Sequence, residues 1–157
     1  MNDIEFLRHS LATLAYRANK ALRDAPPDFA DFRATAGCRT PAEIVAHMAD
    51  LFDWALSIVN GVQKWRDSPT LPWGAAVARF FDSLTAFDRR LAAPEPLAAS
   101  PERLFQAPVA DALTHTGQLA LLRRLAGSPV RGENYFVAHI QAGHVGSDQA
   151  ASVKEFD

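Results

Sequence analysis

Apolar residues between Asp3 and Asp24 fall at Ile4, Leu7, Leu11, Leu14, Ala18 and Leu22. That three-four spacing turns one stripe of an α-helix toward a core. Pro26-Pro27 ends the segment, because proline cannot donate to the helical ladder and restricts the residue before it. The connection that follows, through Phe29, Phe32, Gly37 and Cys38, is long enough to cross a bundle end. The next helix therefore need not be the first one's neighbour.

Thr40-Pro41-Ala42-Glu43 reads as a capping box with proline at the first helical position. The helix it opens is predicted to run to about Asn60, with Gly61 as a left-handed cap, and its inner stripe is Ile44, His47/Met48, Leu51, Ala55 and Ile58. A polar loop with Trp65, Pro69 and Pro72 leads to a third helix over Trp73–Ala92, seamed by Val77, Phe80, Leu84, Phe87 and Leu91. Ser100-Pro101 begins one helical turn and Pro108 interrupts. A fourth helix follows to Ala126, with Gly127 as its stop. From Ser128 onward the pattern predicts mostly loop, with one short helix around Tyr135–Ile140.

Four amphipathic helices without intervening strands specify an all-α fold, a four-helix bundle with an irregular C-terminal tail. No internal repeat or low-complexity tract divides the chain, so residues 1–157 are expected to form one domain. At 157 residues, 48% hydrophobic and 22% charged, it can bury a sizeable core. A net charge of −2 gives no clustered basic surface for nucleic acid or anionic lipid. No apolar run approaches a membrane span, and Met1-Asn2-Asp3-Ile4-Glu5 lacks the form of a signal peptide. Cys38 is the lone cysteine, which rules out an internal disulfide. The expected location is the cytoplasm.

Candidate chemistry concentrates on the fourth helix. Between Val109 and Leu122 the polar residues are Asp111, Thr114, His115, Thr116 and Gln118. Asp111 and His115 are four apart and so share one side of the helix, and Gln118 extends that line. A buried carboxylate is normally paired or bound to metal. The Asp111/His115 pair is then either a hydrogen bond within one helix or half of a metal site, with His47 of the second helix as a third ligand. His47 alone reads more simply as a hydrogen-bonded core histidine.

The segment Thr40-Pro41-Ala42-Glu43-Ile44-Val45-Ala46-His47-Met48-Ala49-Asp50-Leu51 resembles the second-helix signature of the DinB/YfiT-like family of candidate metalloenzymes. Asp111-Ala112-Leu113-Thr114-His115-Thr116-Gly117-Gln118-Leu119, with Leu122-Arg123-Arg124-Leu125-Ala126-Gly127 after it, resembles that family's other signature, a His-x-Gly-Gln element. The resemblance spans about the whole chain. It implies a four-helix bundle of mirror-type connectivity, a homodimer, and a metal held by His47 with the pair Asp111 and His115. The first member of that pair is commonly His in the family. Relatives resembling mycothiol-dependent maleylpyruvate isomerases carry a carboxylate there. The implied ion is zinc or nickel, iron less so. The implied chemistry is a transfer or isomerisation that uses a low-molecular-weight thiol, or a hydrolysis of a small molecule.

Around that set, Asp50 and Gln118 stand three residues after His47 and His115 and are placed to orient the imidazoles by hydrogen bonds. The plainer alternatives are a solvated face for Asp50 and a satisfied amide for Gln118. Gly117, inside a helix, implies close approach of another backbone, most simply a neighbouring helix. Glu133, Asn134, Tyr135, His139 and His144 either fold over the bundle mouth or wrap the helices. Cys38 is expected to be a passive loop thiol, and Trp54 and Trp65 are candidates for a dimer face. The competing function is a non-catalytic binding or dimerisation bundle in which the same side chains form a hydrogen-bonded relic.

Overall fold

Thr40 and Glu43 start their helix as the spacing predicts. The Glu43 amide donates to Thr40 Oγ1 at 3.2 Å, and the Thr40 amide donates to Glu43 Oε2 at 2.7 Å. The computed structural model describes residues 2–156. Its long helices are α1 (Asp3–Leu22), α2 (Pro41–Val59) and α3 (Trp73–Ala92). A short α4 (Pro101–Leu104) and a π-helical turn (Phe105–Val109) then lead directly into α5 (Ala110–Leu125). Gly61 and Gly127 take φ values of +78° and +77°, the left-handed caps that stop α2 and α5.

Pro108 does not break the last helix. It lacks an N–H and its ring collides with the carbonyl four residues back, so the chain widens by one residue there. The Ala110 amide reaches Phe105 O, five residues earlier, and the helix continues. The expected interruption is thus a bulge, and Pro101 to Leu125 forms one continuous rod.

Side-chain pairs give the direction of each helix. Arg8, early in α1, holds Asp88, late in α3, through two bonds of 2.9 Å, so these helices are antiparallel. Arg79 reaches Asp50 at 2.6 Å and Arg90 reaches Asn60 at 2.8 Å, so α2 and α3 run parallel. Arg123, late in α5, donates to Ala21 O at the end of α1, so that pair is parallel as well. The order is up, down, down, up, with α1 packed on α3 and α5, and α2 on the same two. Parallel neighbours need a long return. The 19-residue α2 is about 28 Å long, and residues 60–72 can span roughly 40 Å when extended. That loop therefore runs back along the bundle, with Lys64 beside Ser57 and Ser68 beside Asp50.

The predicted stripes meet in the core. Leu7, Leu11, Leu14, Met48, Phe52, Phe80, Leu84 and Phe87 are all fully buried, and Phe52 packs on Phe80 and Phe87 at ring distances of 6.1 and 5.9 Å. Each such side chain contributes about 1.5–3 kcal/mol by leaving water. Among the described residues no helix is long and apolar enough to cross a membrane.

The tail is mostly irregular, as the pattern predicts, with one addition. Gly132–Glu133 (β1) pairs antiparallel with Glu155–Phe156 (β2), and the short helix shrinks to a 3-10 turn over Tyr135–Val137. The segment wraps α1. Glu133 is buried and accepts hydrogen bonds from Tyr16 Oη (2.5 Å), Lys20 Nζ (2.7 Å) and Ser152 Oγ (3.0 Å). Lys20 also reaches Glu155 at 2.8 Å. Burial disfavours the Glu133 carboxylate, but its bonds to Lys20, Tyr16 and Ser152 outweigh that and hold its pKa below the ordinary glutamate value.

Candidate metal centre

Side by side on α2 and α5, His47, Asp111 and His115 bring one donor atom each within 4.8 Å of one another. His47 Nε2 lies 3.3 Å from Asp111 Oδ2, and His115 Nε2 lies 3.4 Å from Asp111 Oδ1. The two imidazoles meet edge to face, with ring centres 4.8 Å apart. The i, i+4 spacing stacks Asp111 beneath His115, and the antiparallel contact of α2 with α5 supplies His47 from the facing helix.

These separations discriminate between two kinds of arrangement. As hydrogen bonds they are long, since N–H···O bonds cluster near 2.9–3.0 Å and fade beyond about 3.2 Å. As edges of a coordination shell they are of the right size, and with one donor per residue the trio lies within 4.8 Å, so a modest inward shift would close it on an ion. Ligand bonds of about 2.0–2.2 Å in tetrahedral geometry separate neighbouring donors by roughly 3.4 Å. Two imidazoles and a carboxylate are also donor types that suit zinc, nickel and iron alike. The residues present therefore fit a divalent ion.

Gln118 is where the spacing placed it. Its Oε1 lies 2.9 Å from His115 Nδ1. A carbonyl oxygen only accepts, so Nδ1 is the donor of this bond, and Nε2 is the ring nitrogen on the Asp111 side, the one a metal would use.

Asp50 takes a different role from the one expected. It is buried, accepts from Arg79 Nη2 at 2.6 Å and from the Ser68 amide at 2.9 Å, and thereby pins α3 and the return loop to α2. Arg79 also reaches Asp53 and, at 3.4 Å, Ala46 O, the carbonyl just before His47. Burial costs the Arg79 guanidinium, yet the bonds to Asp50 and Asp53 raise its pKa above the ordinary arginine value. Asp50 thus supports the helix that carries His47, without touching the imidazole.

The expected burial of the cluster also needs revision. Side-chain exposure is 20% for His47, 12% for His115 and 44% for Asp111, so the imidazoles are sheltered while the carboxylate faces solvent. The cluster sits at a bundle surface, open to a small molecule. Its cover is Trp65 on the return loop, whose ring centre is 5.6 Å from that of His47 and 5.9 Å from that of Trp54. Sequence reasoning gave Trp65 no place here. The available signal was a large aromatic in a polar loop without a core stripe to join.

Three other expectations change. Gly117 has no atom within 4 Å of the position a Cβ would take, so no backbone crowds it. His139 and His144 lie on the exposed tail, and among the described residues only His47, Asp111 and His115 form a metal-competent group. Cys38 is an exposed loop thiol 3.3 Å from Thr35 Oγ1, as its sequence context implied. Comparison of the chain with known protein families, curated proteins and solved structures gives no match.

Proposed function

We propose that this protein is a metal-dependent enzyme of the DinB/YfiT-like kind, with His47, Asp111 and His115 as the protein ligands of one divalent ion, zinc or nickel. The observation that carries the reading is the trio of donors within 4.8 Å, with Asp111 offering one oxygen to each imidazole at 3.3 and 3.4 Å. The signatures around His47 and His115 support the family, and the up-down-down-up bundle agrees with its mirror-type connectivity. Three protein ligands leave a coordination position for water or substrate, the arrangement of catalytic sites. When bound, such an ion supplies Lewis acidity and a lowered pKa for a water or a thiol. The chain's own residues hold and orient it. Gln118 fixes the tautomer of His115, Arg79 and Asp50 hold α2 in register, and Trp65 screens the His47 side from solvent. The reaction class consistent with this is transfer or isomerisation with a small thiol, or hydrolysis, on a single cytoplasmic domain working as a homodimer.

The test is elemental analysis of tag-free protein, followed by titration with zinc and nickel. One equivalent is expected, and His115→Ala should lose it. A wild type that arrives metal-free and takes up neither ion removes the proposal and leaves the competing binding bundle.

A further inference from the structure

A groove of about 640 Å³ opens between α2 and the rod that carries Asp111, ahead of α5, with Ala98, Ala99 and Ser100 as its third side. Its α2 wall is Trp54, Ile58 and Gly61. Trp54 and Ile58 stand seven and eleven residues after His47, which is the same helical stripe. The facing wall is Pro108 and Ala107 of the π-helical turn with Leu104 and Arg103 of α4, which precede Asp111 on the same rod. One antiparallel seam therefore carries the His47–Asp111 contact at one end and the groove beyond it. Trp54 and Trp65 link the two through ring contacts.

The composition of the walls indicates the ligand. Trp54, Ile58, Leu104, Ala107 and Pro108 give an apolar trough, and Arg103 is the one charged residue lining it. Among the described residues Arg103 has no ion-pair partner, whereas Arg8, Arg79 and Arg123 are all engaged. Two local features shape the trough. The π-helical turn lies in its wall through Gln106, Ala107 and Pro108, and such turns are frequent at functional sites. Gln63, at the rim, adopts φ +53°, a left-handed conformation that non-glycine residues rarely take and that gathers at ligand sites. The volume is in the range of small-molecule sites.

We propose that this groove binds an elongated amphipathic monocarboxylate, with its carboxylate on Arg103, its apolar chain on Trp54 and Ile58, and its other end directed toward Asp111. Arg103 precedes Asp111 by eight residues, about 12 Å of helix, roughly the length of an eight-to-ten-carbon chain. The direction of the distal end rests on the metal reading above; recognition of the carboxylate and chain does not.

Two calorimetric titrations separate these parts. The first uses decanoate and 1-decanol on metal-free protein, wild type, Arg103→Ala and Ala98→Trp, the last to fill the groove. Saturable decanoate binding is expected, at least tenfold weaker in Arg103→Ala and abolished in Ala98→Trp, with 1-decanol indifferent to Arg103→Ala. Circular dichroism confirms that each variant is folded. No saturable binding by wild type, or decanoate binding undiminished in Arg103→Ala, overturns the proposal. The second compares 8-mercaptooctanoate with octanoate on zinc-treated protein. A preference of tenfold or more for the thiol, lost in His115→Ala, is expected. If carboxylate recognition holds and the thiol preference is missing on protein that does bind zinc, the placement of the distal end toward Asp111 is overturned; if zinc itself is not taken up, it is the metal reading that falls.

Discussion

Gln118 Oε1 lies 2.9 Å from His115 Nδ1, on the opposite side of the ring from Asp111. The amide therefore sets which nitrogen of His115 carries the proton. Partners of this kind are worth 10–100-fold in metal affinity. Gln118→Ala is expected to weaken zinc binding by about that factor while leaving the thermal midpoint within a few degrees, as read by competition with a chelating dye and by calorimetry. Unchanged zinc affinity would show that Gln118 does not orient the imidazole.

Asp111 separates the two functional readings most directly. Asp111→Asn keeps the shape and retains an oxygen that can accept from one histidine, but removes the charge. A metal site should lose affinity strongly, while a hydrogen-bonded relic should change stability by only about 1 kcal/mol. Zinc titration alongside urea unfolding reads both.

Gly117 offers a stabilising change. A mid-helix glycine costs about 1 kcal/mol relative to alanine, and here nothing within 4 Å would meet the added methyl group. Gly117→Ala is expected to raise stability by roughly 0.5–1 kcal/mol in urea denaturation. A loss of stability would reveal crowding that the structure does not contain.

The tail clasp predicts a pH dependence. Glu133 has a folded pKa below its ordinary value of 4.5, so its contribution is present above that pH and is lost as pH falls through the folded value. Lys20 works in the other direction. Burial lowers its pKa, but the bonds to Glu133 and Glu155 raise it further, so its contribution holds below about 10.5 and fades as pH rises through the folded value. Glu133→Gln is expected to flatten the acid limb of a stability-versus-pH curve measured by thermal melts. It should also lower stability at neutral pH by roughly 1.5–3 kcal/mol, because Lys20 would lose its buried carboxylate partner and keep Glu155 and Ser152.

What could be read from the chain follows a physical divide. Helix boundaries depend on neighbours in sequence, so the Thr40/Glu43 box, the caps at Gly61 and Gly127 and the α3 limits were visible in advance. The candidate cluster on α5 was visible because a shared helix face follows from spacing, and Asp111, His115 and Gln118 differ by four and three. Asp50 was misjudged because its partners, Arg79 and Ser68, come from elements whose placement depends on α2 and α3 running parallel. Gly117 was misjudged for a related reason, since a glycine's cost is local and its compensation is not. Trp65 and Glu133 act across long sequence separations, where periodicity carries no information.

The extra residue that widens the helix at Phe105–Val109 also has a bearing on heredity. Each residue of an α-helix turns the chain by about 100°. A single-codon deletion at Ala107 would remove that extra residue and let the helix wind regularly with Arg103 keeping nearly its bearing on Asp111, whereas a deletion elsewhere in the rod would turn it by about 100°. Chains of this kind can therefore lose a codon within the turn and keep the groove aligned with the ligands, yet be sensitive to the same loss a few residues away.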